Sequence, residues 1–155
     1  MEKKLDASFF EADRVLFVGY SRKHAVFCKA IREAFESRGT AIIAVNPNPG
    51  TYDTTVYASI DSTPGTFELA YVLTNKAHST ALVEQLAAKG VKRVLFNSKM
   101  SVDAAILEHC SKLGMQTAVA CPMMALGGGF HRFHGWLSGV PRATVRLSST
   151  SLPNR

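Results

Sequence analysis

Five consecutive residues, Gly19-Tyr20-Ser21-Arg22-Lys23, place a glycine, hydroxyls and two cations between the apolar run Val15-Leu16-Phe17-Val18 and a helical pattern. Side chains of these types at a helix start suit one kind of chemistry, the holding of an anion. The first backbone N–H groups of a helix lack intrahelical partners and carry the positive end of its dipole, so a phosphate is stabilised there. A second apolar run, Ala41-Ile42-Ile43-Ala44-Val45, ends in Asn46-Pro47-Asn48-Pro49-Gly50. Parallel strands would open both loops on one sheet edge and outline a nucleotide cleft.

Neither loop is diagnostic alone. The first lacks the three-glycine spacing of a dinucleotide fingerprint, with Arg22 and Ala25 at the positions concerned. A basic corner on an ordinary tight turn fits it as well. The second run ends in Asn46, where nicotinamide sites usually carry an acid for the ribose hydroxyls, and an Asn-Pro pair makes turns anywhere.

Other reactive side chains are expected to be structural. A nucleophilic Cys121 would need a lowered pKa and a base. His131 and His134 are the nearest in sequence, but no spacing rule joins them to it. The His131-x-x-His134 pair shares one helical face, yet two ligands are too few for a metal and Cys121 is the nearest third. Cys28 and Cys110 fall in or beside helical stripes and read as packing. His24 suits an anion contact or solvent, and His78 and His109 read as helix surface. Paired carboxylates and an activated serine are missing from the pattern, so no catalytic residue and no metal ligand is assigned.

The elements that must position these loops follow from periodicity. Phe27, Ala30, Ile31, Ala34 and Phe35 recur on one helical face, and Gly39 stands where a left-handed cap belongs. Residues 56–60 read as a connector or a single helical turn. Leu69–Leu73 reads as a third strand, followed by Thr74-Asn75-Lys76 and a helix carrying Leu82, Val83, Leu86 and Ala87 before Gly90. Arg93–Phe96 is a fourth strand, leading through Asn97-Ser98-Lys99 to a helix capped by Ser101. Its stripe is Val102, Ala105, Ile106, Cys110 and Leu113, closed by Gly114, and Gln116–Ala120 is the fifth strand. Continuous apolar strands separated by helices predict an α/β fold, a single doubly wound parallel sheet of about five strands covered on both faces. Cys121-Pro122-Met123-Met124, Gly127-Gly128-Gly129 and the aromatic, basic run Phe130–Leu137 follow, the last able to form a helix against the sheet. Residues from about 141 read as a terminal strand or tail.

At 155 residues, with 46% hydrophobic and 19% charged side chains, the chain has the makings of one folded domain rather than a disordered segment. The expected division is a lead segment over residues 1–13, the sheet domain over 14–140, and the strand or tail over 141–155. No apolar run is long enough to cross a bilayer, and Met1–Asp6 lacks the apolar core of a secretory signal. Three widely spaced cysteines fit reduced thiols, and the cytoplasm is the expected compartment. A net charge of +6 favours anionic partners.

In order and spacing, Gly19-Tyr20-Ser21 after the first strand, Val45-Asn46-Pro47 after the second, Thr74 after the third and Cys121-Pro122-Met123 after the last resemble the coenzyme A-binding domain family. These are small Rossmann-like proteins similar to the nucleotide-binding domain of the succinyl-CoA synthetase α-subunit. The likeness covers about residues 14 to 137. It implies a CoA diphosphate over Gly19, Ser21, Arg22 and Lys23, and an adenosine against Val45, Asn46 and Pro47. It also implies a lining from Thr74, Asn75, Lys76, Asn97 and Lys99. The first loop departs from relatives by having Lys23-His24-Ala25-Val26 where many carry further glycines, so side-chain cations would replace backbone contacts.

The expected function is therefore binding of coenzyme A or an acyl-CoA by a non-catalytic carrier, sensor or partner subunit. In the synthetase it resembles, catalysis needs a phosphorylated histidine in a second domain, and no counterpart of that domain is expected in these 155 residues. The alternative is an oxidoreductase dependent on NAD(P) or another nucleotide, with Arg22 and Lys23 favouring the 2′-phosphate of NADP. Nucleic-acid binding would need cations and exposed aromatics on one face, and Phe130–Trp136, the one such cluster, is spaced like a packing stripe. A homo-oligomer or a partner enzyme subunit fits the same pattern, and a membrane does not.

Overall fold

The anticipated strands form because their residues can be buried on both sides. In the computed structural model, which describes residues 2–4, 7–123 and 144–146, eight strands make one sheet. They are β1 (Glu2–Lys4), β2 (Arg14–Val18), β3 (Ala41–Val45), β4 (Val56–Tyr57), β5 (Leu69–Val72), β6 (Arg93–Phe96), β7 (Gln116–Val119) and β8 (Thr144–Arg146). Their order is β1-β8-β7-β6-β5-β2-β3-β4. Strands β2 to β7 run parallel, β8 pairs antiparallel with β7, and β1 antiparallel with β8.

The parallel strands thus number six rather than about five. The additional one is β4: Val56 and Tyr57, read from sequence as a connector or helical turn, pair with Ala44 and Val45. Two residues are too few for a period to show.

Among the described residues three α-helices cross between strands, α1 (Ala25–Glu36), α2 (Lys76–Ala88) and α3 (Ala104–Lys112). The glycines expected to close them, Gly39, Gly90 and Gly114, all have positive φ. Alternate strand residues feed two cores, as the pleat requires. Val15, Phe17, Leu69, Tyr71 and Leu95 pack with Cys28, Ile31 and Phe35 of α1, while Leu16, Val18, Ala70, Val72, Val94 and Phe96 pack with Val83, Leu86, Ile106 and Cys110 of α2 and α3. Cys28 and Cys110 are packing residues, as expected.

Two details of α3 differ from expectation. Its cap is Asp103, which accepts a hydrogen bond from the Ile106 N–H at 2.9 Å, and Ser101 is buried instead. Ala105 and Leu113 are exposed, and Leu107 takes the inward position beside Ile106. The helix begins two residues later than a cap at Ser101 implies.

At the amino edge of the sheet, side-chain staples lock the strand starts. Arg93 donates to the carbonyls of Ser8, Phe9 and Glu11, and Arg14 to those of Pro64 and Thr66. An open depression of about 600 Å³ lies on this edge, between Phe10, Arg14, Arg38 and Glu68. Among the described residues no helix is long and apolar enough to cross a membrane.

The chain moves from β2 outward to β3 and β4, then returns to β2's other side and proceeds through β5, β6 and β7. The order therefore reverses between β2 and β5. In doubly wound sheets the ligand crevice lies outside the carboxyl ends of the strands at that reversal.

Candidate functional site

At the reversal, Gly19 has a φ of +93°. A Cβ there would lie 3.0 Å from the Leu73 carbonyl oxygen and 3.2 Å from Thr74 Cγ2, so glycine alone lets the β2 and β5 exits touch. The Gly19 and Tyr20 N–H groups both donate to the Val45 carbonyl, at 2.9 and 3.2 Å. Asn46 braces the same junction: its Nδ2 donates to the Tyr20 carbonyl at 2.8 Å and its Oδ1 accepts from the Asn48 N–H at 2.9 Å. The exits of β2, β3 and β5 are thereby knitted into one rim. Val45 itself is buried and contributes its carbonyl, while Pro47 is exposed.

After Gly19 the chain climbs into α1. The Ser21 hydroxyl accepts from the Lys23 N–H at 3.0 Å, and the Ser21 N–H donates to the Cys28 thiol at 3.3 Å. Burial pushes that thiol up. The first turn of α1 differs from those of its neighbours. Asn75 caps α2 by accepting from the His78 N–H, and Asp103 caps α3. His24, at the cap position of α1, makes no side-chain bond to the first turn, and no acidic residue lies in that turn. Of these three helices, α1 alone keeps its positive end open. Lys23, His24, Ala25 and Val26 around it are exposed.

Tyr20 points elsewhere. Its ring is buried against Phe17, and its hydroxyl donates to Asp53 Oδ1 at 2.7 Å and accepts from Arg32 Nε at 3.2 Å. Burial pushes the hydroxyl up to about 12, with Arg32 opposing and Asp53 assisting. Burial alone would raise the Asp53 carboxyl, but the Tyr20 hydroxyl and the Arg32 guanidinium outweigh it and hold Asp53 below its ordinary value. Arg22 bends from the β2 exit over the loop after β3, its Nη2 donating to the Pro49 carbonyl at 2.9 Å and its guanidinium 5.3 Å above the Tyr52 ring. Arg32, Tyr52 and Asp53 had no signal in the sequence, because the contacts join positions 12 and 33 residues apart without a motif.

The remaining positions divide. Thr74 Oγ1 lies 2.7 Å from Ser79 Oγ, which itself donates to the Asn75 carbonyl at 3.0 Å. With the Ser79 proton on the Asn75 carbonyl, the Thr74 hydroxyl is the donor to Ser79, and the Thr74 oxygen keeps acceptor capacity. Asn75 is engaged as a cap, and Asn97 accepts from the Tyr71 hydroxyl at 2.6 Å. Burial, with smaller contributions from Cys121 and Cys28, drives the Tyr71 hydroxyl well above its ordinary range. Lys76 and Lys99 are exposed beyond the β5 and β6 exits. Cys121 is half-buried and Met123 buried beside the α1 core, while His131, His134 and the run Phe130–Leu137 lie outside the described residues. Such a rim can hold an anion by backbone N–H groups and exposed cations. Among the described residues it offers no paired base and nucleophile.

A family described as "CoA binding domain" matches residues 13–127. The chain is similar in structure to a hypothetical protein from Pyrococcus horikoshii, with 18% identity, a TM-score of 0.66, and coverage of 90% of this chain and 100% of that one. A dinucleotide-forming acetyl-coenzyme A synthetase of Candidatus Korarchaeum cryptofilum aligns at 12% identity and a TM-score of 0.59, over 94% of this chain and 40% of that one. An oxidoreductase from Agrobacterium radiobacter, solved with NAD+, L-tartaric acid and magnesium, aligns at 18% identity and a TM-score of 0.51, over 68% and 34%. At these identities the structural likenesses show a shared fold. No curated protein matches the chain.

Proposed function

Because the chain belongs to the CoA binding domain family, we propose that it binds coenzyme A or an acyl-CoA at the β2–β5 crevice and acts as a non-catalytic carrier, sensor or partner subunit. The observation that carries this reading is the uncapped first turn of α1 at the point where the sheet order reverses. Its free N–H groups suit the diphosphate, and Lys23 and Arg22 suit charge-assisted bonds to that group or to the ribose 3′-phosphate. At the end of β3, Asn46 replaces the acid that would repel such a phosphate. Because both ends of its amide hold the protein, its part is to shape the rim rather than to grip a ribose. The Thr74 oxygen offers an acceptor for an amide N–H of the pantetheine arm. In this reading the protein works in the cytoplasm, either alone as an oligomer or docked to an enzyme that uses the thioester.

Thermal unfolding tests the reading. Coenzyme A is expected to raise the melting temperature more than equimolar NAD or ATP, and Arg22→Ala with Lys23→Ala to remove most of that rise. Equal shifts with all three ligands would leave generic phosphate attraction, and a larger shift with NADP would favour the oxidoreductase alternative.

A further inference from the structure

The loop after β3 is held to the rest of the molecule at three places. Near its start, Asn46 Nδ2 donates to the Tyr20 carbonyl at 2.8 Å. At its far end, Asp53 takes the Tyr20 hydroxyl and the Arg32 guanidinium, 2.7 and 3.4 Å away. Between them the crown, residues 49–52, is met by Arg22 from the β2 exit, through the Pro49 carbonyl and the Tyr52 ring. Gly50, at a φ of +149°, leaves the space this requires, since a Cβ there would overlap the Arg22 guanidinium.

Resting on the binding of coenzyme A at the β2 exit, we propose that Arg22 is an exchangeable latch, fastening the crown 49–52 until a diphosphate takes the guanidinium and sets the crown loose. Arg22 and residues 49–50 are all exposed, so the exchange needs no core rearrangement. Arg22 stands two positions before the α1 cap, within the loop that would cradle the phosphate. Its present acceptor is a neutral carbonyl, whereas a phosphate oxygen offers a charged one, and hydrogen bonds between ions are the stronger kind. The fastenings at Asn46 and Asp53 do not involve Arg22 and keep the two ends of the loop in place. Binding is thereby converted into local loosening at the surface beside the crevice. A partner that reads that surface would sense whether the site is loaded.

Amide hydrogen exchange on the full chain, with and without coenzyme A, tests this. The expected pattern has opposite signs: coenzyme A slows exchange across residues 19–28 and speeds it across 48–54. Absence of slowing at 19–28 overturns both the binding reading and the latch. Slowing there with unchanged or slower exchange at 48–54 overturns the latch alone. Two substitutions at Tyr52 supply an independent check without backbone strain. Tyr52→Leu removes the aromatic shelf and leaves Arg22 the Pro49 carbonyl alone, so relative to Tyr52→Phe the crown exchanges faster without ligand, and coenzyme A binds about threefold more tightly because the weakened latch opens more readily. Tyr52→Phe keeps the shelf and loses only the hydroxyl bond to the Asn48 carbonyl, which both variants lack, so it is the baseline for Tyr52→Leu. Binding by Tyr52→Leu no tighter than by Tyr52→Phe would overturn the latch.

Discussion

Gly19 carries two constraints at once, a left-handed backbone and a neighbouring carbonyl 3.0 Å from where a Cβ would sit. Gly19→Ala is therefore expected to lower the unfolding free energy by about 1–3 kcal/mol, read from urea midpoints, and to abolish the thermal shift given by coenzyme A. The buried Tyr20 hydroxyl gives a second residue-scale expectation. It titrates near 10 in the unfolded chain and near 12 in the folded one. The folded state holds that proton more tightly, so the stabilisation is fully present below pH 10 and is lost as pH rises toward 12. Urea unfolding across that window should show the parent losing stability more steeply than Tyr20→Phe. Parallel curves would mean that the hydroxyl titrates alike in both states. Asp53 acts in the opposite sense: its lowered pKa gives stability above the ordinary carboxylate value of 3.8, lost as pH falls through the depressed one.

The helix starts explain why the site is where it is. Two of the three bring their own side-chain acceptor, and α1 does not. His24→Asp would install a carboxylate at the cap. The unliganded protein is expected to gain about 1 kcal/mol, while coenzyme A binding weakens by about tenfold or more, because the new acceptor and the ligand compete for the same N–H groups. A calorimetric titration beside a melting curve checks both signs, and a variant gaining stability without losing affinity would move the anion site away from α1. This element was legible in the sequence because the apolar run, glycine turn and helical stripe lie next to one another in the chain. The strands over 41–45 and 93–96 were legible for the same reason, each a short apolar run bounded by turn residues. The true cap of α3 was not, since Ser101 and Asp103 are both good caps and burial decides between them. The Tyr20–Arg32–Asp53 cluster was hidden too, because it exists once α1 and the loop after β3 are side by side.

Across the whole molecule, a net charge of +6 favours the approach of a polyanion from any direction, but the reversal of strand order selects one edge. Affinity for coenzyme A should fall as salt shortens the screening length from about 10 Å at 0.1 M to about 3 Å at 1 M. Equilibrium titrations at the two salt concentrations check this, and an unchanged dissociation constant would contradict a charge-assisted site. The amino edge presents the rival location, an open depression of about 600 Å³ with Arg14 and Arg38 among Glu11, Asp13 and Glu68, where mixed charges and the Arg14 bonds to Pro64 and Thr66 leave less for an anion. One nitrogen-15 NMR titration of the full chain with coenzyme A decides between the edges. The largest amide shifts are predicted at Gly19 to Phe27, with Leu73 and Thr74 following; the largest shifts at residues 10–14, 38–40 and 66–68, with α1 unmoved, would contradict the open α1 turn as the anion site.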